Sequence, residues 1–150
     1  MSRIVKITLF ITNLLMGLVL SRFAISKLTG WDISVKAFIE MAKPLGIDPT
    51  FFRVFTGVII LFIFLGYLVT SLFTLLENKM QDKQKMSYIL FVKLTNLAGL
   101  LTMGGALLAE YFLRVEPKLL LVYIAIGVIV FSSINLYIIQ NKLIIKKTTT

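Results

Sequence analysis

The side chains that could do chemistry in this chain are few, and the missing types exclude whole classes of site. Cysteine and histidine are both absent from the 150 residues. The chain therefore offers no thiol, no disulfide and no imidazole ligand for haem, zinc or copper. We expect no intrinsic cofactor, no metal site and no redox-active centre built from the chain's own side chains, and the sequence indicates no catalytic residue; whether the chain has enzyme activity stays open.

The charges of greatest interest lie within or beside strongly apolar stretches. Arg22 and Glu110 each lie near the end of one stretch, and Lys27 and Arg53 lie just beyond such a stretch. Because a charge in hydrocarbon costs about 2.5 to 3.5 kcal/mol on insertion scales, we expect a cation to hold Glu110. Arg22 is the leading candidate, since a guanidinium can bind a carboxylate through two hydrogen bonds. Such a site is either an architectural ion pair or a polar pocket for a small molecule or anion.

Uncharged polar residues suggest a second feature. Asn13, Asn96 and Asn135 lie at similar depth in three different apolar segments. This placement predicts a layer of amide hydrogen bonds between helices, each worth about 1 kcal/mol in a bilayer. A polar ligand-binding layer is the alternative. The adjacent glycines Gly104 and Gly105 also have two interpretations. They allow either close packing of helices or a cavity lined by glycines.

Four apolar segments must position these side chains. Each is close to the roughly 20 residues that cross a hydrocarbon core of about 30 Å. They cover residues 4–25, 52–76, 88–113 and 119–141. The chain is 58% hydrophobic, whereas soluble domains are nearer 45 to 50%. We predict an all-α fold, a single domain over residues 1–150 in which four transmembrane helices form a bundle. The first segment reads as a retained helix rather than a cleaved signal peptide.

The connections between the segments differ in kind. Residues 26–51 contain apolar residues at helical spacing, namely Trp31, Val35, Phe38, Ile39 and Ala42. This pattern predicts a short amphipathic helix over 32–43, capped by Asp32, that lies at the membrane interface. Residues 77–87 read as a polar loop, and residues 114–118 as a tight turn.

The distribution of basic residues predicts an orientation. Lysine and arginine outnumber the acids by 16 to 7, giving a net charge of +9. They lie between apolar runs, which favours contact with anionic lipid over binding of nucleic acid. The side that carries both termini has eight basic residues: Arg3, Lys6, Lys79, Lys83, Lys85, Lys142, Lys146 and Lys147. The other side has six: Lys27, Lys36, Lys43, Arg53, Arg114 and Lys118. The positive-inside rule then predicts cytoplasmic termini in the cytoplasmic (inner) membrane.

Three short stretches resemble a known family. They are FAISKLTG at residues 23–30, KPLGIDP at residues 43–49, and the pair Gly57-Val58. The order of these parts resembles the DoxX-like superfamily, which includes the MauE proteins. The family's lysine after its first helix corresponds to Lys27. Ser26 stands where a glycine is usual, and Ile60 where many relatives have a glutamate.

The resemblance implies a four-helix membrane protein associated with redox systems. Relatives include a subunit of a thiosulfate:quinone oxidoreductase, partners in membrane oxidoreductase complexes and maturation factors. The first expectation is therefore a non-catalytic subunit or assembly scaffold that works with a redox enzyme in the bilayer, alone or as a homo-oligomer. The alternative is a quinone- or lipid-binding subunit whose pocket lies between the first and third segments, near Arg22 and Glu110. A small transporter has less support, because acidic charge occurs only near one end of the predicted bundle.

Overall fold

The computed structural model describes the backbone of residues 2–148 and the side chains of residues 2–141. Regular structure in this part of the chain is helical, with five α-helices: α1 (Arg3–Leu28), α2 (Asp32–Ala42), α3 (Pro49–Leu76), α4 (Asp82–Phe112) and α5 (Leu119–Thr148). Four of them, all except α2, are long and apolar enough to cross a membrane. The predicted all-α, multi-pass bundle with a short helix between the first two spans agrees with this architecture. Lys142, Lys146 and Lys147 lie outside the described side chains.

The start of α4 differs from the prediction, because part of the expected polar loop is helical. The helix begins at Asp82 rather than near residue 88. A capping box explains the early start: Gln81 and Gln84 bond each other's backbone, and the Gln84 side chain accepts from the Gln81 N–H at 3.0 Å. Polar residues 82–87 are therefore the first turns of α4. The helix α3 also begins early, at Pro49, where the Asp48 carboxylate accepts from the Phe51 N–H at 2.6 Å.

The short helix α2 is present, but its buried face is rotated from the predicted one. Phe38 and Ala42 are buried as expected, whereas Ile39 is 52% exposed. Ser34, Ala37 and Met41 complete the buried face. Packing sets this choice, since the ring of Phe38 meets Phe52 of α3 edge-on with centroids 5.0 Å apart.

The ends of α2 also differ from expectation. Trp31 rather than Asp32 occupies the N-cap position, without a side-chain cap, so Asp32 is the first helical residue. A 3-10 turn at Lys43–Leu45 follows the helix and ends at Gly46. Gly46 has φ of 66°, a left-handed conformation that glycine adopts without steric cost.

Two pairs of helices build the bundle. The helix α1 packs along α3, and α4 packs along α5, while the pairs meet mainly through α3 and α4. Tyr67 of α3 is fully buried at this junction, where its hydroxyl lies 2.8 Å from the Ser132 hydroxyl of α5. A Cβ at Gly99 of α4 would overlap the Tyr67 side chain. Gly99 is therefore the residue that lets the tyrosine cross between the helix pairs.

Polar contacts mark the end of the bundle near the start of α1, which we call the terminal end. Lys6 of α1 forms an ion pair with Glu77 and a hydrogen bond with Asn78, both just after α3. The hydroxyls of Thr74 and Tyr88 lie 2.7 Å apart and join α3 to α4. The opposite end holds α2 and the start of α3, and we call it the cavity end.

Candidate ligand-binding cavity

A cavity of about 650 Å³ lies at the cavity end of the bundle. Its walls come from the last turns of α1 and α4, the first turns of α3 and α5, and the inner face of α2. The volume falls within the range of roughly 300 to 1,000 Å³ that is usual for small-molecule sites. The walls are mainly apolar, but nine polar side chains also line the cavity: Arg22, Ser26, Lys27, Ser34, Thr56, Thr102, Glu110, Arg114 and Lys118. This composition suits an amphipathic molecule.

Glu110 of α4 is the carboxylate of the cavity wall, and Arg114 holds it. The guanidinium Nη1 of Arg114 donates to both carboxylate oxygens at 3.0 Å. The backbone N–H of Lys118 donates to Glu110 Oε2 at 3.2 Å. Arg114 also lies 3.4 Å from Glu40 of α2 through its Nε. Glu110 is only 5% exposed, and these contacts compensate its burial.

The structure pairs Glu110 with Arg114, not with the predicted Arg22. Arg22 lines the cavity but is exposed, and it forms no ion pair among the described residues. Arg114 lies in the connection between α4 and α5, two residues beyond the end of α4 at Phe112, and from there its side chain reaches back to Glu110. The available signal in the sequence was the separation of Glu110 and Arg114 by only four positions. Residues 114–118 form the connection between α4 and α5, as predicted, but the expected partner of Glu110 was Arg22 rather than this residue of the connection.

Lys27 lies in the last turn of α1, and its ammonium group lies beside two aromatic rings. The Nζ atom lies 5.4 Å from the ring centroid of Phe23 and 5.6 Å from that of Phe38. Both distances are within the range of cation–π attraction. Within the described side chains, no carboxylate forms an ion pair with Lys27. Lys27 is thus a cation on the cavity wall that forms no ion pair with a described carboxylate, and Glu110 stabilises its charge at longer range.

Two residues of α3 fix the position of Lys27. The guanidinium of Arg53 donates to the backbone carbonyl of Lys27. At Gly57, an added Cβ would lie only 3.0 Å from the Cβ of Lys27, so a glycine is needed for this close approach. Arg53 does not itself line the cavity. Of the four predicted charged residues, the structure therefore places Arg22, Lys27 and Glu110 on the cavity wall and Arg53 behind it.

Ser34 of α2 is a polar side chain that sequence reasoning did not single out. It is 6% exposed, and it lines the cavity. Its hydroxyl has no hydrogen-bond partner in the described part of the chain. Buried hydroxyls are nearly always bonded, so a lone one on a cavity wall is a candidate contact for a ligand. Its position on the face shared with Phe38 was the available signal.

The structure brings the three predicted asparagines together, away from the cavity. The Asn96 amide donates to Asn13 Oδ1 at 3.2 Å, and the Asn135 amide donates to Asn96 Oδ1 at 3.0 Å. Thr12 adds a bond to Asn135 Oδ1 at 2.9 Å. All three asparagines are fully buried, and none lines the cavity. Their amides tie α1, α4 and α5 together.

The adjacent glycines of α4 have different surroundings. A Cβ added at Gly104 or at Gly105 would meet no atom within 4 Å, so neither position is closely packed. Only Gly105 lines the cavity. The alternative of a glycine-lined cavity thus describes Gly105 better than close helix packing does.

No known protein family, curated protein or solved structure matches the chain. The cavity and the charges around it are therefore the basis for a functional assignment. The described side chains contain no group of three or more acids that could hold a metal ion.

Proposed function

We propose that this protein is a membrane-embedded binding protein that holds an amphipathic molecule of the bilayer, a lipid or a quinone. The observation that carries the proposal is the 650 Å³ cavity, whose walls combine a mainly apolar lining with the polar groups of Lys27, Ser34 and the Glu110–Arg114 pair. Apolar pockets with a few placed polar groups are the usual form of small-molecule sites. The apolar body of the ligand would fill the space between α1 and α4, and its head would contact the polar groups.

The outer surface of the bundle supports entry from the bilayer. Leu18 of α1 and Leu120 of α5 line the cavity, yet they are 56% and 71% exposed. In a transmembrane bundle, exposed leucines on the long helices face lipid. The helices α1 and α5 also touch each other only sparingly. A lipid-soluble ligand could therefore enter sideways between them without crossing water.

The resemblance to DoxX-like proteins supports a setting beside a membrane redox enzyme. In that setting the chain is a non-catalytic subunit, and a partner's cofactor supplies the electrons. The chain's own composition is compatible with this division of labour, because it contains neither cysteine nor histidine. A quinone is the occupant that such a partner would use, and a structural lipid is the other.

The test fills the cavity without disturbing the packed core. Gly105→Leu places a side chain in the cavity, and the matched control Gly104→Leu places the same side chain next to it but outside the cavity wall. Both changes replace glycine with a better helix former. Each protein is purified in mild detergent, and its bound small molecules are identified by native mass spectrometry and by solvent extraction.

We expect the parent chain and Gly104→Leu to retain the same molecule and Gly105→Leu to lose it. Equal retention by all three proteins would place the bound molecule outside the cavity and overturn the proposal. A partner protein that co-purifies in place of any small molecule would favour the scaffold role instead.

A further inference from the structure

We propose that the cavity selects an anionic head group, so that its occupant is an acidic amphiphile whose carboxylate or phosphate contacts Lys27 and Ser34. This inference rests on the proposed ligand-binding function and narrows it. It distinguishes an anionic lipid from an uncharged quinone.

The first support is the charge balance of the cavity wall. Four basic side chains, Arg22, Lys27, Arg114 and Lys118, line the cavity beside the single carboxylate of Glu110. That carboxylate is already bound by Arg114 and by the Lys118 backbone. Arg22, Lys27 and Lys118 are thus left with no ion pair within residues 2–141. The cavity carries an excess of positive charge that its own residues do not neutralise.

The second support is the environment of Lys27. Arg22 and Lys118 are exposed, so water or lipid head groups can solvate them, but Lys27 is partly buried against Phe23 and Phe38. Aromatic faces attract the ammonium without accepting its three N–H groups in normal hydrogen bonds. Burial of a charge is costly unless the charge is paired. An anion satisfies both requirements, whereas an uncharged carbonyl satisfies only the need for an acceptor.

The third support is independent of charge and comes from α2. The Ser34 hydroxyl is buried on the same cavity wall and has no partner among the described residues. A hydroxyl that donates to an anionic oxygen makes a stronger bond than one that donates to a neutral oxygen. Lys27 and Ser34 therefore offer donors from two different helices to one head group.

Trp31 provides a built-in reporter for the test. It is the only tryptophan of the chain, and it lines the cavity. Bromine quenches tryptophan fluorescence on contact, so the full chain in phosphatidylcholine nanodiscs is titrated with dibromostearate and with its methyl ester. The two probes share the same chain and differ in head-group charge. At a pH that ionises the acid, we expect saturable quenching, with the acid binding about tenfold or more tightly than the ester.

Substitutions test whether Lys27 and Ser34 cause the preference for the acid over the ester. Lys27→Met should lower the affinity for the acid by about tenfold or more, to about the affinity for the ester. The affinity for the ester should not change. Lys36→Met is the matched control, because Lys36 is an exposed lysine of α2 that does not line this cavity. Ser34→Ala removes a hydroxyl that has no described partner, so the variant should fold normally. It should bind the acid more weakly and the ester as tightly as the parent chain does. It keeps the test decisive if Lys27→Met does not fold.

Two further arms separate the sources of the anion and the possible failures. Dibromostearate and its methyl ester test whether the anion is the carboxylate of a fatty acid. Brominated phosphatidate and brominated phosphatidylcholine test in the same way whether it is the phosphate of a phospholipid. Tighter binding of the anionic probe in either pair supports the inference. Equal binding of acid and ester, or a preference that survives in both variants, would overturn it and leave the binding function standing. Quenching that never saturates with any probe would overturn the inference and, with it, lipid as the occupant of the cavity.

Discussion

At the scale of single residues, the ion pair of Glu110 with Arg114 is the central polar contact of the cavity wall. Counting along the segments placed Arg22 and Glu110 near the same interface, and both do line one cavity. Whether Arg22 and Glu110 contact each other depends on how each helix is rotated about its own axis. The position of a residue along the helix does not specify that rotation. Arg22 is exposed, while Arg114 reaches Glu110 from the connection that follows α4. For Ser34 the sequence offered one signal, its place four residues before Phe38, but the burial of its hydroxyl depends on which face of α2 packs inward.

The ion pair gives the prediction at this scale. Arg114→Gln leaves the buried Glu110 carboxylate with the Lys118 N–H as its one remaining hydrogen-bond donor among the described residues, so we expect a loss of about 3 to 5 kcal/mol in stability. Arg22→Gln is the control, and it should change stability by less than about 0.5 kcal/mol because its side chain is exposed and unpaired in the described structure. Thermal unfolding in detergent, followed by the loss of monodisperse protein, measures both. An Arg22 variant as unstable as the Arg114 variant would contradict the observed pairing.

At the scale of helices, the sequence predicted the four long spans but not the residues at which they begin and end. Apolar length determined the four spans, since the bilayer thickness fixes how many residues must be apolar. Helix ends depend on local caps, and the pairing of Gln81 with Gln84 extended α4 into a region that composition described as a loop. Regular spacing also placed Asn13, Asn96 and Asn135 at one depth, where the helices bring their amides together.

The amide chain gives the prediction at the scale of helices. Asn96 lies at its centre, donating to Asn13 and accepting from Asn135. Asn13→Leu should lower stability by about 1 kcal/mol, and Asn96→Leu by more, because it removes two bonds between helices. The double variant should cost less than the sum of the two single changes. The control is Ser133→Ala, whose hydroxyl bonds only to its own helix at Ile129. Strict additivity in the denaturation data would mean that Asn13 and Asn96 act independently.

At the scale of the whole molecule, the cavity arises from how two helix pairs meet. The pairs α1/α3 and α4/α5 contact each other mainly through α3 and α4, and α2 covers the end of the space between them. No single segment encodes this space. The sequence pointed to its location, through charges gathered near one end of the predicted bundle, but its size follows only from the assembled helices.

The orientation of the bundle is the prediction that belongs to this scale. The terminal side carries eight basic residues and the cavity side six, so we expect the cavity to face away from the cytoplasm. The chain lacks cysteine, which makes single introduced cysteines clean topology probes. Val115→Cys reports on the cavity end, where the side chain is 89% exposed, and Asp82→Cys reports on the terminal end.

A membrane-impermeant maleimide distinguishes the possible topologies. In intact cells it should label Val115→Cys, and it should label Asp82→Cys only after the membrane is permeabilised. Labelling of both sites in intact cells would contradict a bundle with four crossings, since one span, α4, separates Asp82 from Val115 and so places them on opposite sides of the membrane. The reverse pattern would preserve the bundle and turn the cavity toward the cytoplasm. The ligand would then come from the inner leaflet, where anionic lipids and the positive wall around Lys27 would meet directly.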